Sequence, residues 1–378
     1  MKHITFFIAI TLVLVAGNNL MAQNDTTSYK TSPFQMTFFP PLSTNGLDNA
    51  NYVNNLSLNI LAGVSGGVDG FEAASLINID RYFVKGFQAA GIGNAVGGFV
   101  EGIQVAGIYN VAGGNVRYVQ GAGIINVTGG NQFGLQGAGI GNVVGRDIFG
   151  FQGAGIMNVV GGSMTGVQGA GIFNVVGDTA SGMQGAGIIN AALAFNKGIQ
   201  AAGIANITAR GTVNAQAAGI LNIANDIKGI QAAGILNRAA YVDGLQIAGI
   251  LNICDSISGV PIGLINIVRY NGYRRFEVAA SETEYVNISY KMGVPHFYTF
   301  LSAGKAFGPG SRFMYGFGIG TGFEMNQRTK VDIELARSQE IWLGDDRTAY
   351  FFHQRRYNVY NQLRASFAFK MGDRFEVF

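Results

Sequence analysis

Apolar and polar positions recur along residues 72–266 with a period of sixteen. The unit reads apolar–Gln–small–Ala–Gly–Ile–x–Asn–apolar, and a Gly-rich polar stretch of about six residues follows it. The Gln falls at Gln88, Gln104, Gln120, Gln136, Gln152, Gln168, Gln184, Gln200 and Gln216, and then at a fifteen-residue step at Gln231 and Gln246. An Asn lies six residues after each, at Asn94, Asn110, Asn126, Asn142, Asn158, Asn174, Asn190, Asn206, Asn222, Asn237 and Asn252. Degenerate copies flank the array at Glu72–Asn78 and Val260–Asn266. So strict a period implies one small structural unit set side by side many times.

The unit is β in character. It carries no helix-period face, and its turns are rich in Gly, Asp, Asn and Ser, which suit tight bends. Val167–Val176 is a clean ten-residue segment, and Gly177–Gly182 is its turn. Strand alternation puts Gln, Ala, Ile and Asn on one face. The other face carries the residue before Gln and the residue before Asn, which vary in shape but stay non-polar (Phe151, Met183; Tyr109, Met157, Phe173, Leu221). A packed core is sensitive to volume, so a face indifferent to volume but closed to charge predicts contact with lipid. Ten-residue strands also match tilted transmembrane β-strands.

The expected fold is therefore all-β, an antiparallel transmembrane β-barrel of roughly 16–20 strands built largely from the sixteen-residue repeats. In that arrangement Asn174 would face Gln184 across a hairpin. The alternative is a β-solenoid with a C-terminal β meander. Each sixteen residues would then form one flattened coil, with Gln stacked on Gln, Asn on Asn, and Ala and Ile filling the interior. The repeated Gln and Asn are the candidate functional residues in both cases. They would line a lumen for a small polar solute, since amides both donate and accept, or form ladders that satisfy one another.

After Asn266 the composition shifts toward Arg and aromatic residues, and alternation becomes strict. Phe313, Tyr315, Phe317, Ile319 and Phe323 alternate with Gly316, Gly318, Gly320 and Gly322. Val331, Ile333 and Leu335 alternate with Asp332 and Glu334, and Val359, Leu363, Phe367 and Phe369 with Tyr360, Gln362, Arg364 and Ser366. The chain ends on Phe378. The Gly86–Ile92 heptad and its copies resemble a family of bacterial surface-repeat proteins of unassigned activity. The tail is similar to C-terminal halves of outer-membrane proteins of the Bacteroidetes group. The resemblance implies a surface or outer-membrane location and brings no catalytic residues. The tail alone offers too few strands for a barrel, so the repeats would have to supply the rest.

The ends of the chain and its chemistry complete the picture. Ile4–Ala16 is an apolar run after Lys2 and His3, with Ala22 as a cleavage point, so residues 1–22 read as a secretory signal peptide. The expected organisation is a lead segment over 23–55, a repeat array over 56–270, and aromatic-rich strands over 271–378 closing the same barrel. A net charge of +3 spread over 378 residues does not suggest nucleic-acid binding. The single Cys254 excludes an internal disulfide. His296 and His353 have no ligand-spaced partners, so no metal or cofactor site is expected. The glycines of 316–322 have no helix after them and read as a strand face rather than a phosphate loop. Asp345–Asp346 and Arg355–Arg356 read as loop charges, and Tyr270–Glu284 and Glu340–Tyr357 are the candidate partner-contacting loops. These features lead to a non-enzymatic outer-membrane β-barrel, with outer-membrane lipid and the barrel-assembly machinery as partners. It would act as a passive pore or a structural surface component. The alternative is an exported β-solenoid adhesin or ligand-binding surface protein.

Overall fold

The computed structural model describes residues 29–281, 283–307, 311–326, 328–343, 358–370 and 376–377. The signal-peptide segment, His353 and the Asp345 and Arg355 pairs lie outside these residues. The chain forms two compact units, Met1–Val213 and Asn214–Phe378. Among the described residues no helix is long and apolar enough to cross a membrane.

In both units the repeats form parallel β-coils, about fourteen in all. One coil shows the construction. Val116–Ala122 is a long strand, the chain bends at Gly123 and Ile124, and Ile125–Thr128 is a short strand. After a turn the next coil begins at Gln132. The long strand pairs in parallel with Gln132–Ala138, placing Gln120 on Gln136. The short strand pairs with Gly141–Val144, placing Asn126 on Asn142. Similar stacking begins at Lys30–Phe39 on Tyr52–Asn59. In the second unit, Leu236–Ala248 stacks on Leu251–Ile262 in the same way.

This overturns the antiparallel barrel of 16–20 strands. The ten-residue segments do not cross anything as single strands; each is broken by the Gly–Ile bend into two sides of a coil. Asn174 stacks on Asn158 and Asn190, not on Gln184. The bend also breaks the two-residue alternation. The Ile after Gly therefore points outward instead of joining Gln and Asn inside, and Ile124 is 40% exposed. The interior is filled instead by Gln, Asn and two further rows. Val96, Ala112, Thr128, Val144 and Val160 lie two residues after Asn, while Val100, Val116, Ile148 and Met164 lie four before Gln. Burying an aliphatic side chain of this size contributes roughly 1.5–3 kcal/mol.

Close stacking constrains the backbone two residues before Gln. Gly150 has φ +140°, and a Cβ there would sit 2.1 Å from the Gly134 carbonyl oxygen of the preceding coil. Tyr118 occupies the same row with φ +85°, a left-handed conformation that costs a non-glycine residue free energy.

The second unit also carries a separate seven-stranded antiparallel meander, so the C-terminal strands do not close a sheet with the repeats. Its strands are β1 (Tyr273–Ala279), β2 (Glu284–Val294), β3 (Phe297–Ala306), β4 (Ser311–Glu324), β5 (Thr329–Leu343), β6 (Val359–Lys370) and β7 (Glu376–Val377). Each pairs with the next in order. The glycine face of β4 accommodates rings from β3: a Cβ on Gly318 would overlap Phe300, and one on Gly320 would overlap Tyr298.

Candidate functional site

The repeated Gln and Asn, from Gln88 to Asn252, are all interior and at most 2% exposed. They form two ladders. Along each unit, Gln Nε2 donates to the Gln Oε1 of the preceding coil, as from Gln136 to Gln120 at 2.7 Å and from Gln152 to Gln136 at 2.8 Å. Asn Nδ2 donates the other way, to the Asn Oδ1 of the following coil, as from Asn126 to Asn142 at 2.9 Å. It also donates to the backbone carbonyl just after the next Gln, as from Asn126 to Gly137 at 2.7 Å. The second unit repeats this with Gln246 to Gln231, and with Asn237 to Asn252 and to the Ile247 carbonyl. The ladders therefore carry oppositely directed amide dipoles, whose fields partly cancel.

The ladder ends follow from these directions. The donor end of the Gln ladder in the first unit needs an acceptor, and Gln88 Nε2 donates to the carboxylates of Glu72 and Asp80. Glu72 stands where later coils have Gln, and also accepts from Ser57 and Asn59. Asp80 stands where later coils have small uncharged residues such as Val96, Ala112 and Thr128, and accepts from Ser65. Burial pushes both acids above the usual carboxylate range, and the Glu72 charge pushes Asp80 further. The Asn ladder of the second unit ends on Asn266, whose Nδ2 donates to Thr299 Oγ1 of the meander at 2.9 Å. Two acceptor ends have no such cap. Asn59 Oδ1 begins the Asn ladder without a donor, and Gln246 Oε1 is unpartnered because Pro261 stands opposite it.

These amides are buried, and their side-chain donors are directed at one another and at backbone carbonyls. The outside varies widely in side-chain shape, and Ile103, Leu135, Phe151, Val167, Met183 and Ile199 form one exposed row. The bend Ile residues form a second row in each unit, from Ile108 to Ile204 in the first and from Ile220 to Ile250 in the second. Stacked rings add to the surface, Phe71 on Phe87 and Phe133 on Phe149 at 5.3 Å.

The meander holds the remaining chemistry. Its inner face gathers Arg275, Lys291, Arg312, Lys330 and Arg364 with Glu277, Glu284, Asp332, Glu334 and Glu340. Lys291 reaches Glu277 at 2.6 Å and also contacts Glu334. Lys330 pairs with Asp332 at 2.8 Å, Arg275 with Asp332 at 3.5 Å, Arg312 with Glu340 at 3.4 Å and Arg364 with Glu284 at 3.8 Å. Tyr298 donates to Glu334 at 2.8 Å. A cavity of about 470 Å³ opens beside Glu277, Glu284, Asn287, Glu334, Arg364 and Ser366. Its acids are already matched by bases, so it offers no uncompensated charge to a ligand. Sequence reading caught the alternation of Asp332 and Glu334 with Val331, Ile333 and Leu335 but not their partners, because pairing depends on how the sheet curls.

Among the described residues no three His, Cys, Asp or Glu side chains are grouped to hold a metal. Of the loops marked in the sequence, Tyr270–Glu284 contains β1, and 344–357 lie outside the described residues. No protein-family model, curated protein or solved structure matches the chain.

Proposed function

We propose that this chain is a non-enzymatic, exported surface protein whose β-solenoid acts as a scaffold for adhesion or ligand binding. The observation that carries this reading is the division of labour within each coil. The interior keeps the same Gln and Asn in coil after coil, bonded to their copies, while the exterior rows vary in shape and leave large apolar side chains in solvent. Monomeric soluble proteins rarely expose contiguous apolar rows of this extent, and such rows serve as interaction surfaces. Stacked coils set side chains about 4.8 Å apart, a spacing suited to a repetitive partner.

The test is adhesion of the purified chain to a layer of cells or extracellular matrix, compared with Leu135→Ser/Phe151→Ser/Met183→Ser. These side chains are exposed, so the triple variant should keep its circular dichroism and melting curve while adhesion falls at least tenfold. Unchanged adhesion with an intact fold would refute the assignment.

A further inference from the structure

The meander is inverted relative to a water-soluble sheet. Charge is gathered on its inner face, and its outer face is apolar and exposed. On β4 the outward residues are Phe313, Tyr315, Phe317, Ile319, Thr321 and Phe323, of which the five apolar ones are 43–55% exposed. On β5 the outward Ile333 and Leu335 are exposed, and on β6 Val359, Leu363, Phe367 and Phe369, with Leu363 at 73%. The last solenoid coil covers only a small part of this face, around Met292 and Thr299, where Thr299 meets Asn266.

We infer that this outer face is seated in the hydrocarbon of a lipid bilayer and attaches the protein to a membrane. Three observations select lipid over a second copy of the chain. First, the sheet curls around its ion pairs. Side chains of β1 and β2 reach β5 and β6, as in Arg275–Asp332, Lys291–Glu334 and Arg364–Glu284, and Gln362 of β6 donates to Thr283 beside β2. The apolar face is therefore the convex one. A convex surface touches a rigid copy of itself over a small patch, whereas fluid acyl chains cover all of it. Second, the size fits. From Phe313 to Phe323 is ten steps, about 33 Å along the strand and about 25 Å at a tilt near 40°, the height of the apolar band on lipid-embedded sheets. Third, charge is sparse. Lys305 is in register with the terminal Phe313, and Arg337 with Phe317, four residues in from that end, where a long stem lets a guanidinium snorkel toward the headgroups. Arg274, at the start of β1, bonds back to the Arg269 carbonyl.

This inference is independent of the solenoid's adhesive role. The test is flotation of the full chain with phosphatidylcholine–phosphatidylglycerol vesicles, followed by an alkaline carbonate wash. The protein should float and resist the wash. Ile319→Lys, opposite the outward Leu335 near the middle of β4, should lower the floated fraction roughly tenfold or more, as expected for a lysine deep in an apolar band. Leu193→Lys, at an exposed position of the solenoid, should leave flotation unaltered. Because the lysine variant could fail through misfolding, Ile319→Trp with Trp342→Phe, which leaves a single Trp in the chain, supplies a second readout, and its emission should be quenched by acyl-chain bromine. Protein that stays in the aqueous fraction, or an unquenched Trp, would overturn the inference. So would a dimer in detergent-free buffer that Ile319→Lys dissociates, since a second copy would then be the occupant.

Discussion

Asn158 lies in the middle of the Asn ladder, and Asn158→Ala tests whether the ladder holds the coils together. Its Nδ2 donates to Asn174 Oδ1 at 2.9 Å and to the Gly169 carbonyl at 2.7 Å, and its Oδ1 accepts from Asn142 Nδ2 at 2.9 Å. Truncation leaves the buried Asn174 oxygen and the Gly169 carbonyl without these donors. Asn142 keeps its bond to the Gly153 carbonyl. An unmade buried hydrogen bond costs about 1–3 kcal/mol per stranded group, so two full losses and one partial loss sum to roughly 2–7 kcal/mol. Gln152→Ala strands two groups, Gln136 Oε1 and Gln168 Nε2, and should cost less. The exposed control Ile156→Ala should cost below about 1 kcal/mol. Denaturant unfolding followed by circular dichroism measures the three costs. Coils couple mainly to their neighbours, so hydrogen exchange should quicken first around residues 142–174. If Asn158→Ala cost no more than Ile156→Ala, the ladders would be a by-product of stacking rather than its cause.

Three further outcomes follow from the same geometry. Glu72 and Asp80 have folded pKa values raised above those of the unfolded chain, so their contribution is fully present in acid and is lost as pH rises through the folded values; exchange protection of residues 52–96 should fall with rising pH, and Glu72→Gln/Asp80→Asn should flatten that dependence, which a pH series on both proteins checks. Tyr118→Gly should stabilise the first unit by about 1 kcal/mol through relief of the left-handed φ of +85°, and a lowered denaturation midpoint would contradict the strain. Burial pushes the Cys254 thiol up to about 12, so a thiol reagent at pH 8 should label the folded protein at least tenfold more slowly than the unfolded one.

The sequence by itself determined a repeating β unit, its sixteen-residue period, and the special standing of Gln and Asn. Those features are local: turn residues recur at fixed offsets, and identical positions must meet identical surroundings. It also displayed the inverted alternation of 313–323 and 359–369, because strand geometry sends every second side chain to one face. Whether the repeats pair in parallel or antiparallel was decided only in three dimensions. A Gly–Ile bend costs nothing visible in a hydropathy pattern, yet it splits a ten-residue segment into two sides of a coil and turns Ile108, Ile124 and their copies outward. Antiparallel pairing would have set Gln opposite Asn, two side chains of different length. Parallel coils set like on like and let the amides inside each ladder donate to their copies. The acid pair at Glu72 and Asp80 and the ion pairs of Lys291 and Arg364 were likewise invisible along the chain, because each joins residues whose proximity depends on coil stacking or on the curl of the sheet.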